Sequence, residues 1–238
     1  MSEIPGVTTT SSPKEIGHAV AHYLSDRLPG GPWQVTAAGL RSTRDDQTTE
    51  IRLKRRRPSQ TGIGAFFEPL LAVRDRSLKT WRRQHRDLAS TQDDRMFESA
   101  AYALGSRWQV PAVVTTGGAS WSLPGRCSID DLASHLTVTI LPVCEYLRSA
   151  TGLLSLPEPW LHAGWLLQLI EFAIAQGEPE VTMPLLSRTR WLESDDFKRG
   201  QERALTGKPP EHEAASMWGY RIAMFGLHYD LGKATSER

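Results

Sequence analysis

Basic side chains that could neutralise phosphates or carboxylates are concentrated between Ile51 and Arg86 of this 238-residue chain. That segment holds eleven Lys or Arg residues and two acidic ones, so its net charge is +9 in a chain whose total is +1. The rest of the chain is acidic overall, and this segregation of charge predicts an anionic partner. The predicted interface, here called the basic block, comprises Arg52, Lys54, Arg55, Arg56, Arg57, Arg74, Arg76, Lys79, Trp81, Arg82, Arg83 and Arg86.

The first part of the basic block has the periodicity of a strand. Arg52, Lys54 and Arg56 would project from one face of that strand, and Ile51 and Leu53 from the other. Such a charged row could neutralise the phosphates of a nucleic acid. It could also be a solvated sheet face, or a patch that packs against the acidic remainder of the same chain.

Trp81 lies among the basic residues of the second part and could supply a stacking surface for an unpaired base. Nucleic acid is therefore one candidate partner. No helix-turn-helix, RNP or zinc-finger pattern accompanies the charge, however. We therefore favour a partner protein, recognised by charge complementarity and exposed aromatic side chains.

Two histidines in the first predicted helix are the candidate metal ligands. His18 and His22 lie four residues apart, which allows both rings to bind one metal ion from the same helix face. The HExxH pattern is absent and no third ligand can be named. Together with Glu15 and Asp26, they also form the polar stripe that any amphipathic helix presents to water. The sequence therefore predicts no metal site and no cofactor.

The common catalytic patterns are incomplete. Residues 62–64 lack the Lys-Ser/Thr of a phosphate-binding loop, and the residues around Ser120 do not form a G-x-S-x-G elbow. The acidic pair Asp130 and Asp131 is typical of the first turn of a helix. We therefore expect a non-enzymatic binding or accessory protein. An enzyme whose site is built from scattered polar residues is the third alternative, after protein binding and nucleic-acid binding.

Composition is typical of a globular cytoplasmic protein. Hydrophobic residues make up 39% of the chain, which is enough for a sizeable core. Cys127 and Cys144 form no CxxC motif or disulfide framework, which favours a reducing compartment. Residues 1–12 lack the apolar run of a signal peptide and predict a flexible leader. The longest apolar run, 160–175, is too short and too polar to span a bilayer, so no membrane contact is expected.

Helical and strand periodicities alternate in the N-terminal half. Ser12, Pro13 and Glu15 form a capping box, which predicts a helix that ends near Leu28. A second capped helix begins at Ser128, where Pro142 should interrupt it because proline lacks an N–H. The other predicted elements are strands over 33–37, 49–54 and 65–73 with a turn at 44–47, one or two surface helices over 75–106, and a second hairpin over 108–123.

Helical patterns alone follow Leu156, and they predict helices over 160–175, 190–206 and 211–231. A strand over 137–140 is the alternative to continued helix in the preceding segment. Together the elements predict an α+β protein with a mainly antiparallel sheet of four to six strands and a helical C-terminal half. The predicted domains are the leader 1–12, a mixed α+β domain over 13–150, and a helical subdomain over 158–238 packed on it.

Residues 13–150 resemble uncharacterised bacterial families known only as domains of unknown function. The shared pattern is an N-terminal helix, a curved antiparallel sheet with a strand that contains Trp121, and a helix of the type S-I-D-D-L-A-x-H-L that ends in a proline. Some of these families lie beside toxin or defence genes, so the resemblance implies partner binding in such a context. The basic segment 74–106 departs from the pattern. The matching residues are Ser128, Ile129, Asp130, Asp131, Leu132, Ala133, Leu136, Pro142 and Leu147.

Overall fold

The computed structural model of the chain describes residues 4–8, 10–60, 64–100, 114–115, 118–119, 121–123, 128–157, 161, 163–229 and 231. The chain forms two compact units. Unit 1 comprises Met1–Arg74 and Phe97–Glu145, and unit 2 comprises Asp75–Met96 and Tyr146–Arg238. Residues 75–96 therefore belong to the same unit as the C-terminal part of the chain. Each predicted domain, by contrast, is a single continuous stretch of the sequence.

The predicted α+β class is confirmed, with an N-terminal helix, a mainly antiparallel sheet and a helical C-terminal half. Short 3-10 helices cover Thr151–Ser155, Pro179–Val181 and Arg190–Glu193. In chain order the other elements are α1 (Pro13–Ser25), β1 (Gln34–Thr36), β2 (Gly39–Arg44), β3 (Gln47–Gln60), β4 (Gly64–Asp75), α2 (Arg76–Gln84), β5 (Arg95–Ala100), β6 (Val114–Thr115), β7 (Gly118–Ala119), β8 (Trp121–Leu123), α3 (Ile129–His135), the π-helix Leu136–Ile140, α4 (Leu141–Tyr146), α5 (Ala163–Ala175), α6 (Thr182–Ser187), α7 (Asp195–Leu205) and α8 (Ala214–Tyr229).

Helix α1 has the capping box that the sequence predicts. Ser12 Oγ accepts a hydrogen bond from the Glu15 N–H at 3.3 Å, and Glu15 Oε2 accepts one from the Ser12 N–H at 2.6 Å. The apolar side chains of Ile16, Val20 and Leu24 are buried. Helix α1 packs on β1, β2 and β3, so its apolar face covers the first half of the sheet.

In the described part of unit 1 the main sheet has six strands, in the order β1-β2-β3-β4-β5 with β8 also paired to β4. Strands β2 and β3 form an antiparallel hairpin, and its turn places Asp45 at φ 54°, where aspartate is tolerated. The predicted turn is confirmed. Residues 39–44, for which the sequence pattern predicts no strand, form β2. Gly39 begins this strand at φ 145°, and an added Cβ would lie 2.1 Å from the Ile51 carbonyl oxygen.

Strand β5 contradicts the expectation of helices throughout 75–106. In the described part of that segment, only Arg76–Gln84 is an α-helix, and Arg95–Ala100 pairs with β4. Met96 and Phe97 are both buried. Because these apolar residues are adjacent instead of alternating, the period-two pattern of a strand is missing from the sequence.

Two predicted features of residues 108–147 are present in modified form. Strands β6 and β7 form an antiparallel ribbon, although much of the predicted hairpin 108–123 lies outside the described residues. Ser128 caps α3, since its Oγ accepts from the Asp130 N–H at 3.1 Å. The chain then passes through the π-helix into α4, which contains Pro142. The helix is therefore not broken before Pro142, because a π-helical segment precedes it. The alternative prediction of a strand over 137–140 is wrong.

Unit 2 is predominantly helical. Helix α2 packs on α5, and α7 packs along α8. The described parts of the three predicted C-terminal helices are present as α5, as α7 with the 3-10 turn before it, and as α8. Leu169, Phe172, Phe197 and Phe225 are buried in its core. Among the residues that the structure describes, no helix combines the length and the apolar character needed to span a membrane.

Candidate anionic-partner interface

The basic block is divided between the two units. Its residues up to Arg74 belong to unit 1, and its residues from Arg76 to Arg86 belong to unit 2. The sequence treats them as one charged segment because they are close along the chain. Each half makes its own set of contacts within its unit.

The strand half alternates as predicted. Ile51 and Leu53 are 0% and 8% exposed, whereas Arg52 is half-buried and Lys54 and Arg56 are exposed. The charged side chains therefore lie on the face of β3 opposite its buried apolar side chains.

Glu50, on the same strand, neutralises part of this charged row. Its Oε2 accepts from Arg52 Nη2 at 2.6 Å, and its Oε1 accepts from Arg41 Nη2 at 2.7 Å. Arg74 Nε lies 3.9 Å from Glu50 Oε2. Burial favours the neutral carboxyl, but the hydrogen bonds from Arg52 and Arg41 outweigh it and lower the pKa of Glu50. Arg52 Nη1 also lies 3.6 Å from Glu98 Oε2.

Arg56 is paired in a similar way, because its Nη2 lies 2.5 Å from Oε2 of the buried Glu68. Three of the predicted interface residues, Arg52, Arg56 and Arg74, therefore have carboxylate neighbours within unit 1. Lys54 and Arg55 are exposed. The side chain of Arg57 lies outside the described residues.

Trp81 is buried and does not form the predicted stacking surface. It is 7% exposed and packs against Phe225 and Tyr229, with ring centroids 6.1 and 6.5 Å apart. Its indole N–H donates to the Tyr229 hydroxyl at 2.8 Å. The prediction that Trp81 contacts a partner from the surface is wrong, because its ring is part of the unit 2 core.

Arg82 is also buried, which contradicts its predicted place in the interface. Its side chain is 0% exposed, as is that of Glu171, which accepts from Arg82 Nε at 2.8 Å and from Nη2 at 2.6 Å. Arg82 Nη1 donates to the carbonyl oxygens of Asp93 at 3.0 Å and Arg95 at 2.8 Å. Ser90 Oγ donates to Glu171 Oε2 at 3.0 Å. This network joins α2, α5 and the chain before β5 inside unit 2.

The other basic residues of α2 lie on its solvent side. Arg76 and Arg83 are exposed and Lys79 is half-buried, and their spacing of three and four residues places them on one helical face. Arg86, just beyond the helix, is exposed as well. Within the described part of the chain, none of these four side chains forms an ion pair. We call these four residues, Arg76, Lys79, Arg83 and Arg86, the α2 basic face.

Comparisons with known proteins do not assign the chain to a family. No protein-family model, curated protein or solved structure matches it. The resemblance to bacterial domains of unknown function therefore stays a prediction. The function has to be inferred from the molecule itself.

His18 and His22 lie side by side on the exposed face of α1, with ring centroids 4.5 Å apart. Two ligands from one helix leave a tetrahedral site incomplete. In the part of the chain that the structure describes, no group of three His, Cys, Asp or Glu side chains is placed to hold a metal ion.

Two features of the sequence indicate that Arg82 is buried, although a count of charges does not reveal it. Trp81 and Arg82 lie three and four residues after Leu78, so all three side chains fall on the same, apolar side of the helix. Glu171 is the partner signal, because it is a single carboxylate within a long apolar helix pattern. A buried carboxylate requires a buried cation or several donors nearby.

Proposed function

We propose that the chain is a protein-binding protein whose α2 basic face docks on an acidic segment of another protein. The supporting observation is that four cationic side chains within eleven positions have no carboxylate partner among the described residues. Arg82, on the opposite side of the same helix, has Glu171 at 2.6 Å. An uncompensated charged face of this kind increases the association rate with an oppositely charged partner and selects its orientation.

The burial of Trp81 favours a protein over a single-stranded nucleic acid. Proteins that bind single strands combine positive charge with exposed aromatic rings on which the bases stack. Trp81 is the aromatic residue that would have served this purpose in α2, and its ring faces the core. The predicted resemblance to bacterial families found beside toxin or defence genes implies the same partner-binding role, and we extend the proposal to that context.

Charge reversal of the α2 basic face is expected to weaken binding to acidic peptides strongly. We expect the wild-type chain to bind a fluorescent peptide rich in Glu and Asp at low salt. The triple variant Arg76→Glu, Arg83→Glu, Arg86→Glu should bind at least about tenfold more weakly, because three attractive contacts become repulsive. Fluorescence anisotropy at several salt concentrations measures both the affinity and its salt dependence.

A control variant with the same change in net charge separates the face from the overall charge. Arg190→Glu, Lys198→Glu, Lys208→Glu reverses three exposed basic residues on other elements of unit 2. This control should lose much less affinity than the α2 variant. Equal losses, or no peptide binding by the wild type, would contradict the proposal. Tighter binding of an oligothymidylate of equal charge, lost in the α2 variant, would replace the protein partner with nucleic acid.

A further inference from the structure

Unit 1 contains an open cleft of about 720 Å³ between the N-terminal half of α1 and the first three strands. This volume falls within the range of about 300–1,000 Å³ that is usual for small-molecule sites. One wall is formed by α1, from Ser12 to His18, and the other by the β1–β2 turn. Leu53 and Phe67, both buried, form the apolar floor.

Helix α1 lies close to this floor because residue 17 is glycine. A Cβ added to Gly17 would lie 3.2 Å from the Phe67 ring. Val35, Ala37 and Ala38 continue the apolar lining on the strand side. The cleft can therefore receive an apolar body.

Basic side chains from two elements line the same cleft. Lys14 and His18 come from α1, and Arg55 comes from β3, on the face of that strand opposite Arg52 and Arg56. All three are exposed, so they can change rotamer to meet a ligand. Lys, Arg and imidazole N–H groups form charge-assisted hydrogen bonds with carboxylate or phosphate oxygens.

Among the described residues that line the cleft, Glu15 is the only acidic one, and its carboxylate already accepts a hydrogen bond from the Ser12 N–H. The hydrogen bond that the Glu15 carboxylate accepts from the Ser12 N–H, together with the adjacent Ser12 hydroxyl, holds the pKa of Glu15 below its ordinary value. The capping box also occupies N–H groups at the start of α1 that would otherwise attract an anion. A bound anion would therefore contact Lys14, His18 and Arg55 rather than the helix terminus.

We infer that this cleft is a binding site for a small amphipathic anion, a compound with an apolar body and one carboxylate or phosphate group. The apolar body contacts Leu53, Phe67 and the alanines of the β1–β2 turn. The acidic group contacts Arg55 and Lys14, with His18 as a further donor. This site lies within unit 1 and is independent of the α2 basic face.

The test compares four compounds that are built on an unbranched eight-carbon chain and differ in the head group, each below its solubility limit and micelle concentration. Octanoate and octyl phosphate supply the two anionic groups, octanol is neutral, and octyltrimethylammonium is cationic. Isothermal titration calorimetry with the full chain should show binding of octanoate, octyl phosphate or both. The cationic compound should bind at least about tenfold more weakly than the better anion.

Two kinds of variant separate the apolar and charged contacts. Arg55→Glu should weaken the anions about tenfold or more and leave octanol unchanged. Ala37→Trp, which fills the cleft, should weaken every octyl compound. Lys14→Glu is a second variant that reverses a charge in the cleft. It should not impair folding, because an acidic residue is favourable in the first turn of a helix. Arg44→Glu is the matched control, because Arg44 is exposed in unit 1 but does not line the cleft.

The inference is overturned if none of the octyl compounds binds, or if the cationic compound binds as tightly as the anions. Equal effects of Arg55→Glu and Arg44→Glu would overturn it as well. A preference for octanoate over octyl phosphate, or the reverse, identifies the head group that the site selects. Because the peptide assay reports on α2, either proposal can fail without the other.

Discussion

Glu171→Leu is expected to destabilise the protein by about 3–5 kcal/mol, because it removes the fully buried carboxylate that pairs with Arg82. Both side chains are 0% exposed, so water cannot replace the lost carboxylate. Among the described residues, the partly exposed Asp93, whose Oδ1 lies 3.3 Å from Arg82 Nη1, is then the remaining carboxylate. The Ser90 hydroxyl, which donates to Glu171 Oε2 at 3.0 Å, also loses its acceptor. Urea unfolding followed by circular dichroism measures the loss as a lower free energy of unfolding.

Two further variants show whether loss of the buried ion pair is the cause. Glu202→Leu removes an exposed carboxylate from α7 and should change the free energy of unfolding by no more than about 0.5 kcal/mol. The double variant Arg82→Met, Glu171→Leu removes both charges and should recover part of the loss. Recovery should be incomplete, because Arg82 also donates to the Asp93 and Arg95 carbonyl oxygens. A Glu171→Leu protein as stable as the Glu202→Leu control would contradict the role of the pair.

The second large effect is expected where α7 crosses α8. A Cβ added to Gly219 would lie 1.9 Å from the Phe197 carbonyl oxygen, and one added to Gly200 would lie 1.8 Å from that of Ser216. Both obstacles are backbone atoms, which cannot rotate away as a side chain can. The helices would have to separate, so Gly219→Ala should destabilise the protein by about 3 kcal/mol or more.

Gly226 provides a control on the same helix. Among the described residues outside its own helix backbone, a Cβ added there meets no atom within 4 Å, and α8 includes the residue in its last turn. Gly226→Ala should therefore raise the free energy of unfolding, by about 0.4–1 kcal/mol, because alanine restricts the unfolded chain more than glycine does. Urea unfolding of the two alanine variants should thus give changes of opposite sign. Gly219→Ala as stable as Gly226→Ala would contradict the close helix crossing.

Features that depend on neighbouring residues could be predicted from the sequence. The capping box of α1 needs only Ser12 and Glu15, three residues apart, and the helix begins at Pro13 as predicted. The alternation of Ile51, Arg52 and Leu53 places the charged and apolar side chains on opposite faces of β3, as expected. In these cases the local backbone geometry decides the outcome.

Features without a local pattern were missed. Strand β5 has adjacent buried residues, Met96 and Phe97, and its place beside β4 depends on pairing with a distant segment. The close crossing of α7 and α8 depends on Gly200 and Gly219, and a glycine within a helix only indicates that a packing reason exists. The cleft was missed as well, because Lys14 and Arg55 are forty-one positions apart in the sequence.

The sequence by itself determined the α+β class, the capped helix α1 and the concentration of positive charge between Ile51 and Arg86. Only the tertiary structure decided which of those charges have partners: Arg52 has Glu50, Arg56 has Glu68, and Arg82 has Glu171. A charge count depends on composition alone, whereas ion pairing and burial depend on where the folded backbone places each side chain and its neighbours. The α2 basic face is therefore the part of the basic block in unit 2 that folding leaves without carboxylate partners among the described residues.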